Sequence, residues 1–139
     1  MLRKVGGMEK KIEVVAGVIF DGNKVLATQR GYGKYEGYWE FPGGKIEEGE
    51  THKQALVREL KEELEVEVEV GEIMTTINYN YPDFQLVMYC YKTKIIGGEI
   101  ELLEHKDYCF VDANHIMLLD WLPADLGFVK ELKEYLTNI

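Results

Sequence analysis

The sequence predicts an α/β (α+β) domain in which helices cover the faces of a mixed β-sheet. Several segments are rich in β-branched and aromatic residues, two segments have strong helical patterns, and strands and helices do not alternate strictly. The chain has 139 residues, of which 46% are hydrophobic and 29% charged. This length suits one domain with a real core. We expect residues 10–139 to form that domain and residues 1–9 to be a flexible leader.

The first elements are strands. Lys11–Phe20 is apolar and β-branched, and Val25–Arg30 follows it after the turn Asp21-Gly22-Asn23, which predicts a β-hairpin. After the hairpin we expect a glycine- and tyrosine-rich loop at Gly31–Gly37, an extended segment at Tyr38–Phe41 and a turn at Pro42-Gly43-Gly44.

A helix is predicted over His52–Leu64. Thr51 and Gln54 fit a capping box, in which each side chain accepts a hydrogen bond from a free backbone N–H. The segment has high helix propensity and contains no glycine or proline. Its apolar residues fall within one arc of the helix, which we expect to face the core: Leu56, Val57, Leu60 and Leu64.

The second half contains more strands and two further helices. Val66–Val70 alternates apolar and acidic residues, as a half-buried strand does. Further strands are predicted at Met74–Tyr81, Gln85–Ile96, Glu99–Leu103 and Tyr108–Val111, with turns at Pro82-Asp83 and Gly97-Gly98. A short helix is predicted at Ala113–Leu118 and a longer one at Ala124–Leu136.

Charge and cysteine content exclude several classes of function. The net charge of −9, from 25 acidic and 16 basic residues, argues against a nucleic acid polymer as partner. Cys90 and Cys109 stand singly, so we expect two buried free thiols and no structural zinc. No apolar run is long enough to span a bilayer. We therefore expect a cytoplasmic protein without a membrane partner.

Crowded carboxylates are the main functional signal. Glu59, Glu62 and Glu63 are spaced i+3 and i+4, so they share one arc of the helix, and Arg58 lies four residues before Glu62. The glycines before the helix allow a close backbone approach. This combination predicts a divalent cation site. The alternative is a solvated acidic face on an amphipathic helix.

The spacing of these residues resembles the Nudix box. Gly44, then Glu50 after five residues, then Arg58-Glu59-Leu60-x-Glu62-Glu63 after seven more match its pattern. Glu65 departs from it, because the family has a glycine there that ends the helix. A looser resemblance to MutT-type pyrophosphohydrolases extends from Ile12 to Leu136. The resemblance implies a Nudix-type α/β/α sandwich.

The resemblance also implies a reaction and a cofactor. Nudix hydrolases use Mg²⁺ or Mn²⁺ to cleave a nucleoside diphosphate linked to another group. In MutT-type enzymes, water attacks the β-phosphorus of a nucleoside triphosphate and releases a monophosphate and pyrophosphate. Cations would neutralise the substrate of this acidic protein and lower the pKa of the attacking water. The implied metal ligands are the Gly43 carbonyl, Glu59, Glu62 and Glu63, with Glu104 from a distal loop.

The proton acceptor is left open by the sequence. Glu63 and Glu104 are the candidates, and His105 ranks below both. Glu59 shares the catalytic cluster, and Arg58 can hold the Glu62 carboxylate in place. A solvated loop carboxylate is the alternative for Glu104.

Substrate-binding residues are also implied by the resemblance. Arg30 and Lys45 are candidates for phosphate binding, and ordinary surface charge is their alternative. Asp125 resembles the base-recognising position of MutT-type enzymes, although it also falls in the N-cap region of the last helix. Phe84 stands where the best-known MutT enzyme has an arginine, and it could stack on a base, although strand aromatics more often belong to the core.

The closest resemblance is to bacterial CTP and oxidised-nucleotide pyrophosphohydrolases, which implies that the protein cleanses the nucleotide pool. One alternative within the family is hydrolysis of ADP-ribose or a dinucleoside polyphosphate. Another is a noncatalytic nucleotide-binding module, which the intact carboxylates Glu59, Glu62 and Glu63 disfavour. The preferred base, the number of metals and the choice between monomer and homodimer stay open.

Overall fold

The computed structural model describes residues 10–139, so the predicted leader at residues 1–9 lies outside the described residues. Two α-helices and a 3₁₀ turn accompany one seven-stranded sheet. The helices are α1 (His52–Leu64) and α2 (Pro123–Thr137), and the 3₁₀ turn is Ile116–Leu118. The strands are β1 (Lys11–Asp21), β2 (Lys24–Arg30), β3 (Trp39–Glu40), β4 (Gly43–Lys45), β5 (Glu67–Tyr81), β6 (Phe84–Gly97) and β7 (His105–Val111).

The sheet is mixed, as predicted. Its order is β3-β2-β1-β6-β5, with β4 paired to β1 and β7 paired to β2. The central strands β1 and β6 run parallel, and every other pair is antiparallel. The predicted hairpin is confirmed, with Phe20 opposite Val25 across the turn at Gly22.

Each face of the sheet is covered by one helix. Successive strand residues point to opposite faces, so Val15 and Ile19 of β1 pack with Leu60 of α1, whereas Ala16 and Val18 pack in the cluster formed by α2. The α2 cluster includes Phe128, Val129, Leu132 and Leu136. The predicted α/β/α sandwich is therefore confirmed.

Helix α1 has the predicted bounds and capping box, but its buried face is rotated. Val57, predicted to face the core, is 43% exposed, while Ala55 is fully buried. The rotation moves Glu59 and Glu63 towards the sheet, where both are half-buried. The helix ends at Glu65, which adopts the left-handed conformation (φ 56°) that the family's glycine would adopt without strain.

The structure differs from four other predictions. The predicted turn at Gly43-Gly44 is the short strand β4, and the two predicted strands at Val66–Val70 and Met74–Tyr81 are one strand interrupted by bulges. Glu99–Leu103 is no strand, because its backbone N–H groups instead bond the carbonyls at the end of α1. The predicted helix Ala113–Leu118 shrinks to the 3₁₀ turn.

Two smaller observations complete the fold. Both cysteines are free, as predicted; Cys90 is buried, but Cys109 is only half-buried because it lies on β7 near the edge of the core. Neither helix in residues 10–139 combines the length and the apolar character that crossing a membrane would require.

Candidate active site

An acidic pocket of about 130 Å³ lies where the end of β2, strand β4, helix α1 and the start of β7 meet. The segment before β7 reaches it because Leu103 N donates a hydrogen bond to the Glu63 carbonyl at 3.2 Å. This bond places Glu104 beside the carboxylates of α1. The pocket is lined by Arg30, Gly31, Tyr32, Glu40, Gly43, Glu63, Glu104 and His105.

Glu63 is the carboxyl group of this pocket whose ionised form is least favourable. Its Oε1 atom is buried and has no hydrogen-bond partner. Burial and the nearby charges of Glu59, Glu104 and Glu40 raise the pKa of Glu63 to about 8, although a backbone hydrogen bond from Gly43 opposes the shift. A group of carboxylates that resists ionisation in this way would be relieved by a cation.

The two glycines of β4 allow the pocket to form. A Cβ atom on Gly43 would collide with the Val15 carbonyl of the paired strand, and one on Gly44 would collide with the Glu59 carboxylate. The strand therefore lies directly against α1 and β1, as only glycine permits.

Arg58 organises the carboxylates on the outer side of α1. Its guanidinium bonds both oxygens of Glu50, at 2.7 and 2.9 Å, and also bonds Glu59 at 2.9 Å and Glu62 at 3.1 Å. A further bond of 3.1 Å reaches the Lys45 carbonyl. Glu50 in turn accepts a hydrogen bond from the Glu47 backbone, and these contacts lower its pKa to about 2. Arg58 thus ties the loop before α1 to the helix.

The donor set fits a hard divalent cation. Mg²⁺ and Mn²⁺ prefer oxygen ligands, which carboxylates supply. The Glu63 Oε1 atom has no hydrogen-bond partner and the pKa of Glu63 is raised, so a cation would be a favourable partner for this group. Within residues 10–139, no three acidic, histidine or cysteine side chains already converge as a complete metal site. Arg58 bonds Glu59 and Glu62 and turns their carboxylates towards its guanidinium, which accounts in part for the lack of convergence.

A second, mostly apolar pocket of about 150 Å³ adjoins the acidic pocket. Asp125 lies in it and is 2% exposed, and its Oδ1 atom has no hydrogen-bond partner. Burial, reinforced by the charge of Glu40, raises the pKa of Asp125 well above its usual range. The walls of this pocket come from strands β1 to β6, the loop after β2 and the start of α2: Val14, Val15, Ala16, Arg30, Tyr35, Glu40, Phe41, Gly43, Gly44, Tyr81, Phe84, Leu86, Met88, Leu122, Ala124 and Asp125.

Aromatic rings close one side of this apolar pocket. Tyr81 and Phe84 stack at 5.1 Å between ring centroids, and Tyr35 lies 5.6 Å from Tyr81. The Tyr81 hydroxyl accepts a hydrogen bond from the Ala124 backbone at 3.3 Å, which links β5 to the start of α2. Flat apolar walls of this kind suit a planar ring.

Helix α2 brings Asp125 to the pocket without using it as a cap. Leu122 is the N-cap residue, Pro123 begins the helix, and no side chain caps it. The segment before the helix is pinned to β3, because Trp39 and Leu122 are joined by a backbone hydrogen bond of 2.9 Å. Asp125 therefore lies in the first turn of α2, as its N-cap alternative expected, but its side chain makes no capping hydrogen bond.

The predicted site residues divide between the two pockets and their surroundings. Glu63 and Glu104 line the acidic pocket, Phe84 and Asp125 line the apolar pocket, and Arg30 and Gly43 line both. Glu59 lies against Gly44 at the edge. Two others lie outside both pockets: Glu62, whose side chain is 57% exposed, and Lys45, which is exposed at the end of β4.

Sequence reasoning missed Glu40 and Tyr35, which the structure places in the pockets. A charged residue between Trp39 and Phe41 in a short apolar strand was the available signal for Glu40. Tyr35 gave none, because it is one of several tyrosines in a glycine-rich loop.

A larger groove of about 580 Å³ lies at the other end of the sheet, around Phe20 and Lys92. It contains none of the predicted site residues, and Lys92 there is engaged by the rings of Phe20 and Tyr135. We therefore place the candidate site in the two adjoining pockets.

Comparisons with known proteins show the family of the chain. The model of the NUDIX domain matches residues 10–132. The chain is 37% identical over 113 residues to the 8-oxo-dGTP diphosphatase of Proteus vulgaris, covering 80% of this chain and 97% of that protein. It is 34% identical over 122 residues to the CTP pyrophosphohydrolase of Escherichia coli, covering 87% and 90%.

Solved structures give the same result. The solution structure of the E. coli ORF135 protein superimposes with a TM-score of 0.75 at 32% identity, covering 91% of each chain. The family model matches most of the chain, including the whole of both pockets. The chain therefore belongs to the Nudix hydrolase family.

Proposed function

We propose that this protein hydrolyses nucleoside triphosphates, including oxidised or modified ones, to a monophosphate and pyrophosphate, and so cleanses the nucleotide pool of the cytoplasm. The main support for this proposal is that an acidic pocket adjoins an apolar pocket with aromatic walls, and that the two share lining residues. A nucleoside triphosphate has the same two parts, a planar base and a chain of phosphates. The named activities of the Proteus and E. coli relatives support this choice of substrate.

In the acidic pocket, Gly43, Glu59, Glu63 and Glu104 would hold Mg²⁺ or Mn²⁺, with Glu62 joining from the rim. A bound cation supplies charge neutralisation for the phosphates and lowers the pKa of a water molecule. Arg58 keeps the carboxylates of α1 and the preceding loop in one arrangement through its bonds to Glu50 and Glu59.

Two carboxylates that line the acidic pocket are the candidates for proton transfer. Glu63 and Glu104 both line it, and either can take a proton from water. His105 is 8% exposed and faces Glu40, so we rank it below them as a base. Lys45, which is exposed at the end of β4 and outside both pockets, would attract the phosphate chain through its charge.

In the apolar pocket, Asp125 is proposed to read the base. Its raised pKa favours a protonated carboxyl, which presents an O–H donor beside a carbonyl acceptor. Phe84 and Tyr81 offer a stacking surface for the base.

The test is a hydrolysis screen with Mg²⁺ in which chromatography separates the products released from unmodified and oxidised nucleoside triphosphates, ADP-ribose and dinucleoside polyphosphates. We expect the fastest turnover with a triphosphate and a loss of roughly 10²–10⁴-fold in kcat for Glu63→Gln. Glu131→Gln, on the exposed face of α2, is the matched control and should keep full activity. Release from ADP-ribose or dinucleoside polyphosphates alone would refute the proposal, as would release from no substrate.

A further inference from the structure

Arg30 and Glu40 form the wall between the two pockets. Together with Gly43, they line both the acidic pocket and the apolar pocket. A nucleotide with its base in one pocket and its phosphates in the other must cross this wall. The side chains there therefore face the link between base and phosphates.

The two side chains form a two-point ion pair. Arg30 Nη2 bonds Glu40 Oε1 at 2.7 Å, and Arg30 Nε bonds Glu40 Oε2 at 3.1 Å. The carboxylate side chain is 15% exposed and the guanidinium side chain 41%. The buried partner thus fixes the orientation of the more exposed one, since a two-point contact constrains the plane of a guanidinium.

Glu40 is itself held firmly. The Thr28 hydroxyl donates to the Glu40 carbonyl at 3.0 Å, and His105 Nε2 lies 3.6 Å from Glu40 Oε2. Burial raises the pKa of Glu40, but the polar contacts with His105 and Arg30 outweigh burial and hold the pKa below its usual value. An anchored, ionised carboxylate is a fixed support for Arg30.

We propose that Glu40 is a positioning residue that aims the Arg30 guanidinium at the phosphate chain of a bound nucleotide. This role rests on the proposed function. Glu40 acts through Arg30 and does not touch the reacting atoms. If Glu40 acted only through its negative charge, it would instead repel the phosphates.

These two roles predict opposite signs for one measurement. The probes are the α,β-methylene analogues of guanosine and cytidine triphosphate, whose substituted bond is not cleaved, and their binding is measured by calorimetry with Mg²⁺. If Glu40 positions Arg30, Glu40→Gln weakens binding roughly tenfold despite removing a negative charge. If Glu40 only adds charge, the same variant binds the analogues more tightly.

Glu36→Gln is the matched control. It removes an equal charge from an exposed loop residue that pairs with Lys106 of β7, and binding should be unchanged or slightly tighter. Arg30→Lys covers a failure of Glu40→Gln to fold, because it keeps the charge of an exposed side chain but cannot make the two-point bond. We expect a loss similar to that of Glu40→Gln, and binding like that of the wild type would overturn the proposal.

Two further readouts separate positioning from general damage. In the Arg30→Ala background, Glu40→Gln should cause no additional loss, and additive losses would refute the role. With a hydrolysed triphosphate, Glu40→Gln should raise KM more than it lowers kcat. A wild type that binds the analogues but hydrolyses no triphosphate refutes the proposed function alone. Wild-type protein that binds neither analogue and hydrolyses no triphosphate in the screen refutes both proposals.

Discussion

Replacement of Glu63 by glutamine should stabilise the metal-free protein while it destroys activity. Glutamine keeps the shape of the side chain but cannot ionise. In the wild type, burial and the neighbouring carboxylates raise the pKa of Glu63 from an ordinary 4.5 to about 8. The unfolded chain therefore loses this proton at lower pH than the folded protein does. The free energy of unfolding should fall as the pH rises between these two values.

The expected magnitude follows from the shift in pKa. Each pH unit above 4.5 costs the wild type about 1.4 kcal/mol, which amounts to roughly 3 kcal/mol at pH 7. Below pH 4.5, Glu63 is protonated in both states and the cost disappears. Glu63→Gln and the wild type should therefore have similar stability at pH 4.5, and the variant should gain roughly 3 kcal/mol at pH 7.

The assay is urea unfolding followed by tryptophan fluorescence in a buffer with a chelator, at several pH values. Glu131→Gln, an exposed carboxylate on α2, is the control and should track the wild type throughout. Mg²⁺ should then stabilise the wild type more than the Glu63 variant, because a ligand stabilises the state that binds it. A stability difference independent of pH, or a loss of stability at pH 7, would refute the electrostatic account of this pocket.

Three other changes test the site and its support. Gly44→Ala places a methyl group against the Glu59 carboxylate, which must move aside; we expect a loss of about 1 kcal/mol in a thermal or urea unfolding assay and a large drop in pyrophosphate release. Glu65→Gly relieves the left-handed residue after α1 and should add about 0.5–1 kcal/mol in the same unfolding assay. Asp125→Ala removes the buried carboxyl from the apolar pocket. The kcat/KM for the best nucleotide should then come closer to the kcat/KM for nucleotides with other bases.

Each of these has a control or a contradicting result. Gly127→Ala lies in α2 where an added Cβ meets nothing within 4 Å, so it should raise stability rather than lower it. If Gly44→Ala and Gly127→Ala changed the free energy of unfolding equally, the close approach of β4 to α1 would be contradicted. A less stable Glu65→Gly would contradict strain at that residue. An equal loss of kcat/KM with every base would remove Asp125 from base recognition.

Much of the fold was predictable because its signals are local. Hairpin spacing gave the turn between β1 and β2, and the capping box gave the start of α1. The errors share a cause in long-range contacts. Glu99–Leu103 has strand-like composition, yet its N–H groups bond the end of α1. Val57 fits the predicted apolar arc, yet it is exposed, because α1 is rotated so that Glu63 faces the pocket.

The sequence by itself determined the family resemblance and the cluster of carboxylates on α1, because both depend on residue type and spacing along the chain. The tertiary structure decided which residues share a pocket. Glu40 meets Arg30 through the pairing of β2 with β3, and Asp125 reaches the same wall because α2 starts beside β3. These contacts join residues far apart in the chain, and periodicity along one segment contains no information about them.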